Sequence, residues 1–144
     1  MRILGVDYGE KRTGLAISDV GELIARPLET VEASSEKKAV DRIADVCREQ
    51  EAGRIVVGLP RNMDGTIGPK AQAALAFRQA LAEATDVEVV TWDERLSTVR
   101  AERALRETQL SRKKRQFHVN AVAAQMILQA YLDWQRSQAQ KTQE

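Results

Sequence analysis

Apolar and polar positions along the chain follow two different periods, and the changes of period mark out the elements. Residues 3–6 (Ile-Leu-Gly-Val) are apolar without a polar interruption, which predicts a central strand buried on both faces. Asp7 ends that run. Gly9 and Gly14 bracket a charged turn of Glu10, Lys11 and Arg12, and residues 15–17 resume the apolar pattern as a second strand. Residues 23–31 supply a third strand, which Pro27 assigns to a sheet edge because proline cannot donate to a ladder. Ser34 or Ser35 then caps a helix with the stripe Val40, Ile43, Ala44 and Cys47, and Gly53 reads as its stop. Residues 54–60 form a short buried strand that enters a loop, and residues 61–65 carry turn chemistry closing on Asp64 and Gly65. Ala73, Ala74, Phe77, Ala80, Leu81 and Ala84 mark a second amphipathic helix. Residues 87–92 follow as a strand that stops at Asp93 and Glu94. Ser97 or Thr98 caps a short charged helix to about Thr108, and residues 111–115 are a basic run. The last helix carries Val119, Val122, Ala123, Met126, Ile127, Ala130, Tyr131 and Trp134 at spacings of three and four.

Three strands followed by strands alternating with helices predict an antiparallel meander and then βαβ crossovers, which force parallel pairing. The expected fold class is therefore α/β: a mixed five-stranded sheet, three strands antiparallel and the rest parallel, flanked by helices. A length of 144 residues suits one domain. We assign it to residues 1–136, with a polar tail over 137–144 that is expected to fray. The formal charge of +1 gives no bulk attraction to nucleic acid, so any basic footprint must be local. A single cysteine excludes an internal disulfide, and its place on a helix stripe marks Cys47 as a packed core thiol. No apolar run reaches membrane-spanning length and the chain opens on a strand rather than a secretory signal. A soluble, cytoplasmic protein without a membrane partner is expected.

Two carboxylate positions end apolar strands: Asp7, and the pair Asp93 and Glu94. If those strands are parallel neighbours, their tips converge where open α/β sheets carry their chemistry. Carboxylates brought together raise one another's pKa unless a cation lies between them. Oxygen-only ligands favour magnesium or manganese over zinc, and such a centre suits attack of water on a phosphodiester. Other chemistries lack parts. There is one histidine, His118, and one cysteine, with no Cys/His zinc spacing. Residues 9–14 lack the Lys-Ser/Thr ending of a P-loop.

Four stretches, in order, resemble the motifs of the YqgF (RuvX) family. They are Asp7-Tyr8-Gly9-x-Lys11-x-x-Gly14-x-Ala16; Val57-Gly58-Leu59-Pro60 with Asn62-Met63-Asp64-Gly65; Asp93-Glu94-Arg95-Leu96-Ser97-Thr98; and Val119-Asn120-Ala121-Val122-Ala123-Ala124 with Ile127-Leu128-Gln129-x-Tyr131-Leu132. The resemblance spans residues 2–135. It implies an RNase H-like fold, a distant likeness to Holliday junction resolvases, and a nuclease that matures the 16S ribosomal RNA precursor, acting on structured RNA or also on DNA. By position, Asp7 matches the family's first acidic ligand and Glu94 the second, with Asp93 beside it. The third falls on Asn120, where many family members carry aspartate. The resemblance thus implies Asp7, Glu94 and Asn120 as catalytic, metal-holding residues for magnesium or manganese. Manganese is favoured because it tolerates a neutral ligand better.

Candidate nucleic-acid contacts are Lys11, Arg12, Arg95 and the run Arg112, Lys113, Lys114 and Arg115. Arg95 suits a neighbouring carboxylate as well as a phosphate, and the basic run also reads as a solvated loop. Gly58 and Pro60 read as turn formers, His118 as a surface or capping residue, and Trp92 and Trp134 as packing residues rather than base-stacking platforms. The alternative function is a catalytically weak nucleic-acid-binding module of the same fold, because Asn120 dilutes the acidic set. An actin-like sugar kinase also opens on Asp-x-Gly, but it needs two such domains facing across a nucleotide.

Overall fold

A computed structural model describes the backbone of residues 1–96 and 112–143, with side chains outside 112–118 and 142–143. Strand β1 (Arg2–Asp7) is the centre of the sheet. On one side β2 (Arg12–Ser18) runs antiparallel to it, and β3 (Ala25–Glu32) runs antiparallel to β2 at the edge. On the other side β4 (Ala52–Leu59) is parallel to β1, and β5 (Glu88–Asp93) is parallel to β4. The order β3-β2-β1-β4-β5 is the mixed five-stranded sheet that the element pattern predicts. Pro27 lies on the edge strand as expected. It pairs with Ala16 where the register slips between Leu15 and Ala16, so the residue without an N–H sits at an irregularity.

Period two sorts the strands between two cores. Leu4, Val6, Ile55, Val57 and Val89 pack with Val40 and Ile43 of α1 (Glu36–Glu49) and with Phe77 and Leu81 of α2 (Pro69–Ala84). Ile3, Ala16, Val56 and Trp92 pack on the opposite face against Ala124, Ile127, Leu128, Tyr131 and Leu132 of α3 (Arg112–Gln143). By the same alternation Gly5, Asp7 and Gly58 share the α3 face. Cys47 is buried in the first core, with its thiol against the Ala52 carbonyl at 3.7 Å.

Several boundaries differ from the sequence reading. The stop of α1 is not Gly53 but Gln50, whose N–H reaches the carbonyls of Val46 and Arg48, followed by Glu51 at φ 56°. Gly53 instead lies in β4, where a Cβ would come within 2.6 Å of Met1 Sδ. The run 112–115 is helical backbone in the first turn of α3 rather than a loop. At the other end α3 continues through the polar tail to Gln143, because no glycine or proline interrupts it, with residues 136–141 exposed. The helix expected from Ser97 or Thr98 to Thr108 lies outside the described residues. The buried stripe of α3 is also rotated from the predicted one. Leu128 and Leu132 are fully buried, whereas Val122 and Met126 lie at its flank and Trp134 is exposed.

Glycine causes that rotation. Gly14 pairs with Asp7, and a Cβ there would fall 1.8 Å from the Asn120 carbonyl oxygen and 2.8 Å from the Ala121 nitrogen. The backbone of α3 therefore rests directly on β2, and Ala121 and Ala124 are the small residues facing it. Gly14→Ala forces two backbones apart, so it should destabilise the fold by about 1–3 kcal/mol. Urea unfolding of parent and variant measures this; an unchanged midpoint would mean that α3 does not rest on β2.

Candidate active site

The C-terminal ends of β1 and β4, the loop after β4 and the start of α2 enclose an open cavity of about 1020 Å³. Asp7, Glu94 and Asn120 all line it, so three residues distant in sequence share one cavity. Each arrives by a different route. Asp7 ends the central strand on the α3 face. Asn120 is held over β2 by the contact at Gly14. Glu94 follows β5 in a short 3-10 turn (Glu94–Leu96).

The two carboxylate strands are parallel but not neighbours, because β4 lies between them. Gly58 on β4 removes the obstacle: a Cβ there would lie 3.2 Å from Glu94 Oε2 and 2.5 Å from Ile127 Cδ1. Gly58 lies within β4, paired with Trp92, so it clears space for the carboxylate rather than forming the turn read from the sequence. Glu94 is only 3% exposed. A carboxylate so deeply placed is held ionised only where charge or hydrogen bonds meet it.

Asp93 faces elsewhere. Arg95 Nη2 donates to Asp93 Oδ2 at 2.8 Å, and the Arg95 N–H donates to Oδ1 at 3.0 Å. The Arg95 guanidinium holds the Asp93 carboxyl below the usual carboxylate range, and Arg61 adds to the effect. Of the two acids ending β5, Glu94 is the one in the cavity. Arg95 also lies over Gly65, at φ 90°, and acts on Asp64. The loop it covers is closed by Asn62 Nδ2 donating to Thr66 Oγ1 at 2.9 Å and Thr66 N donating to Asp64 Oδ1 at 3.0 Å. Its Asp-Gly step is the turn that the sequence predicts.

Lys11 is exposed at the β1–β2 turn, and Arg12 pairs with Glu32 at 2.8 Å. The side chains of residues 112–115 and of His118 lie outside those described. Sequence reasoning missed Lys70, which lines the cavity beside Gly68 and Pro69. The available signal was Gly-Pro at a helix start: Gly68 is the N-cap of α2 and Pro69 opens it, which puts Lys70 in the first turn at the cavity rim. Tyr8 lines the wall with its ring stacked on Phe77 at 4.2 Å. Burial, with Glu36 and Glu10, pushes its hydroxyl pKa up, so it stays neutral.

The donors facing the cavity from Asp7, Glu94 and Asn120 include two carboxylates and an amide oxygen, a set that fits a hard divalent cation. Among the described residues no group of three or more His, Cys, Asp or Glu comes together, and Asn120 is the neutral member of these three. No helix among them is long and apolar enough to cross a membrane.

A family profile described as RuvX, Holliday junction resolvase, matches residues 1–134. A relative from Thermoanaerobacter pseudethanolicus, named as a candidate pre-16S rRNA nuclease, is 47% identical over 138 residues, covering 95% of this chain and 99% of the relative. One of the same name from Clostridium beijerinckii is 48% identical over 133 residues, covering 92% and 96%. Among solved structures, Thermus thermophilus RuvC superposes with a TM-score of 0.56 at 21% identity over 95% of this chain and 97% of its own. The fowlpox virus Holliday junction resolvase gives 0.55 at 14% identity, covering 92% and 99%. These structures share the RNase H-like fold.

The Arg95–Asp93 pair has a pH signature. Because the folded Asp93 carboxyl is depressed, its contribution is present above the unfolded value of about 3.9 and is lost as pH falls through the folded value. Arg95→Gln should therefore lower stability at pH 7, and the gap to the parent should close as pH falls below about 4. Urea midpoints across pH measure it; a gap that persists at low pH would assign the loss to packing over Gly65.

Proposed function

The chain belongs to the RuvX family, and we propose that it hydrolyses phosphodiester bonds in nucleic acid with a divalent cation held by Asp7, Glu94 and the Asn120 amide. The substrate we infer is structured RNA in maturation of the 16S ribosomal RNA precursor, with DNA as a second substrate class. The single observation that carries the reading is the convergence of these three residues on one cavity at the C-terminal ends of parallel strands. Names of relatives at 47% and 48% identity support the ribosomal RNA substrate.

When bound, a divalent cation lowers the pKa of a coordinated water and stabilises the leaving oxygen. The chain's own residues do the rest. Asp7 and Glu94 supply the negative charge that attracts the cation, and Asn120 adds an oxygen without charge. Lys70, which also lines the cleft, pairs with a phosphate oxygen of the strand lying in it. Lys11, Arg12, Arg95 and residues 112–115 extend that contact along the backbone. The cytoplasm, where ribosomal RNA is processed, is the compartment this function assigns.

A second reading, a binding module with weak catalysis, is favoured by the neutral residue at 120 and by the lack of a three-acid group among the described residues. One experiment separates the two. Parent, Asp7→Asn and Asn120→Asp proteins are assayed against defined RNA and DNA oligonucleotides across magnesium and manganese titrations. Asp7→Asn should cut the rate by a hundredfold or more, the equivalent of about 3 kcal/mol in the barrier, while leaving the unfolding midpoint unchanged or raised. The parent should work in manganese and poorly in magnesium, and Asn120→Asp should raise the magnesium rate by restoring the third charge. Binding without metal-dependent cleavage would establish the module instead, and equal parental rates in both metals would remove Asn120 from the cation's shell.

The basic run has its own test. Replacing Arg112, Lys113, Lys114 and Arg115 by serine should flatten the slope of log affinity against log salt by nearly one unit per lost phosphate contact. An unchanged slope, from binding titrations at several salt concentrations, would remove the run from the interface.

A further inference from the structure

A second cavity, of about 450 Å³, lies beside the first and shares a wall with it. Along the chain the two alternate: Gly58, Pro60, Asn62 and Glu94 line the cleft, while Leu59, Arg61 and Asp93 line this groove. Its floor is aromatic, with Trp92 6% and Tyr131 7% exposed. Trp134 stands over them, 5.9 Å from Trp92 and 6.1 Å from Tyr131 between ring centroids. It is 47% exposed, although the sequence reads it as a packing residue. The Tyr131 hydroxyl accepts from Arg54 at 3.0 Å, and the buried Trp92 Nε1–H has no hydrogen-bond partner among the described residues.

We propose that this groove receives one unpaired nucleobase of the substrate strand as it leaves the cleft, stacked on Trp134. The inference rests on the nuclease reading and adds a base-binding subsite to it. Three features favour this occupant. The shared wall makes the groove the next place a strand held at Asp7 and Glu94 can reach. Its size is at the lower end of the roughly 300–1,000 Å³ of ligand sites, room for a single nucleotide and not for a duplex. Its chemistry joins a half-open indole face to a guanidinium, that of Arg61, which is how single strands are held without regard to sequence.

The chain has two tryptophans and both are here, so selectively excited tryptophan emission reports on this groove. The experiment titrates the full chain with a labelled single-stranded ten-nucleotide RNA in calcium, with the oligomer checked on a gel for integrity. Tryptophan emission and label anisotropy are followed together. The same titration is run with an oligomer of identical length carrying abasic sugars. We expect quenching by the normal oligomer only. Trp134→Ala should weaken binding of that oligomer about tenfold, and Trp134→Phe should restore most of it. The abasic oligomer should bind both variants as it binds the parent, since its phosphates are intact. Anisotropy that rises without quenching, or equal affinity of Trp134→Ala and parent, overturns the subsite and leaves the nuclease reading standing. No rise in anisotropy for any oligomer overturns both. Trp134→Ala that changes sedimentation of the free protein but not its affinity for RNA makes the groove a protein interface and also overturns the proposal.

Discussion

The contact between Gly14 and the Asn120 carbonyl is the constraint on which the arrangement depends. A five-stranded sheet packs a helix on each face at a spacing set by side chains, and on the α1 and α2 face it does so with Phe77, Leu81 and Ile43. On the α3 face, glycines at 14, 5 and 58 remove the side chains where the helix crosses the strand ends. The helix sinks until its backbone meets the strand. That descent brings Asn120, a helix residue, to the level of Asp7, a strand residue, and sets Ile127 against Gly58. The cost is the apolar area that larger residues would have buried there. It is offset further along α3 by Leu128, Tyr131 and Leu132 over the sheet interior.

Most of the fold was legible in the sequence because its signals were local. Unbroken apolar runs marked β1 and β4, Pro27 marked the edge, and Asp64-Gly65 marked the turn that Gly65 takes at φ 90°. Three residues that line the cleft, Asp7, Glu94 and Asn120, were legible too, as strand-end acids and as motif positions. The geometry was not. Nothing local says that β4 separates the two acid-bearing strands, or that Gly58 reopens the path between them. The face of α3 was misread for a related reason. That helix is apolar on more than one side, so periodicity offered several stripes, and the choice among them was made by glycines more than a hundred residues earlier in the chain for Gly14 and Gly5. Lys70 was missed because a single lysine carries no pattern of its own. Only the cavity wall gives it meaning.

The end of β5 shows how two adjacent acids are given different work. A strand turns successive side chains to opposite sides, so Asp93 and Glu94 could not both face the cleft. Arg95 takes Asp93, lowers its pKa and ties it to the loop 62–66, making one acid a structural anion. Glu94 is left on the cleft side. The same alternation acts at the end of β4, where residues of one parity line the cleft and those of the other line the aromatic groove. One short segment, residues 58–62, therefore serves two cavities.

An amide at position 120 follows from the same balance of charges. Three carboxylates around one cavity repel one another whenever no cation is bound, and each raises the pKa of the others. Here two are present, one of them buried, with Lys70 lining the same cavity as a counter-charge. Replacing the third acid by its isosteric amide removes two of the three pairwise repulsions and leaves the fold of the metal-free protein less strained. The loss falls on cation affinity, because an amide oxygen contributes a dipole where a carboxylate contributes a full charge. By linkage, the part of the folding stability that a bound cation adds is smaller and more dependent on its concentration. On the proposed function, an amide at this position exchanges cation affinity for a less repulsive metal-free site, while the helix that carries it is held by backbone contact with Gly14.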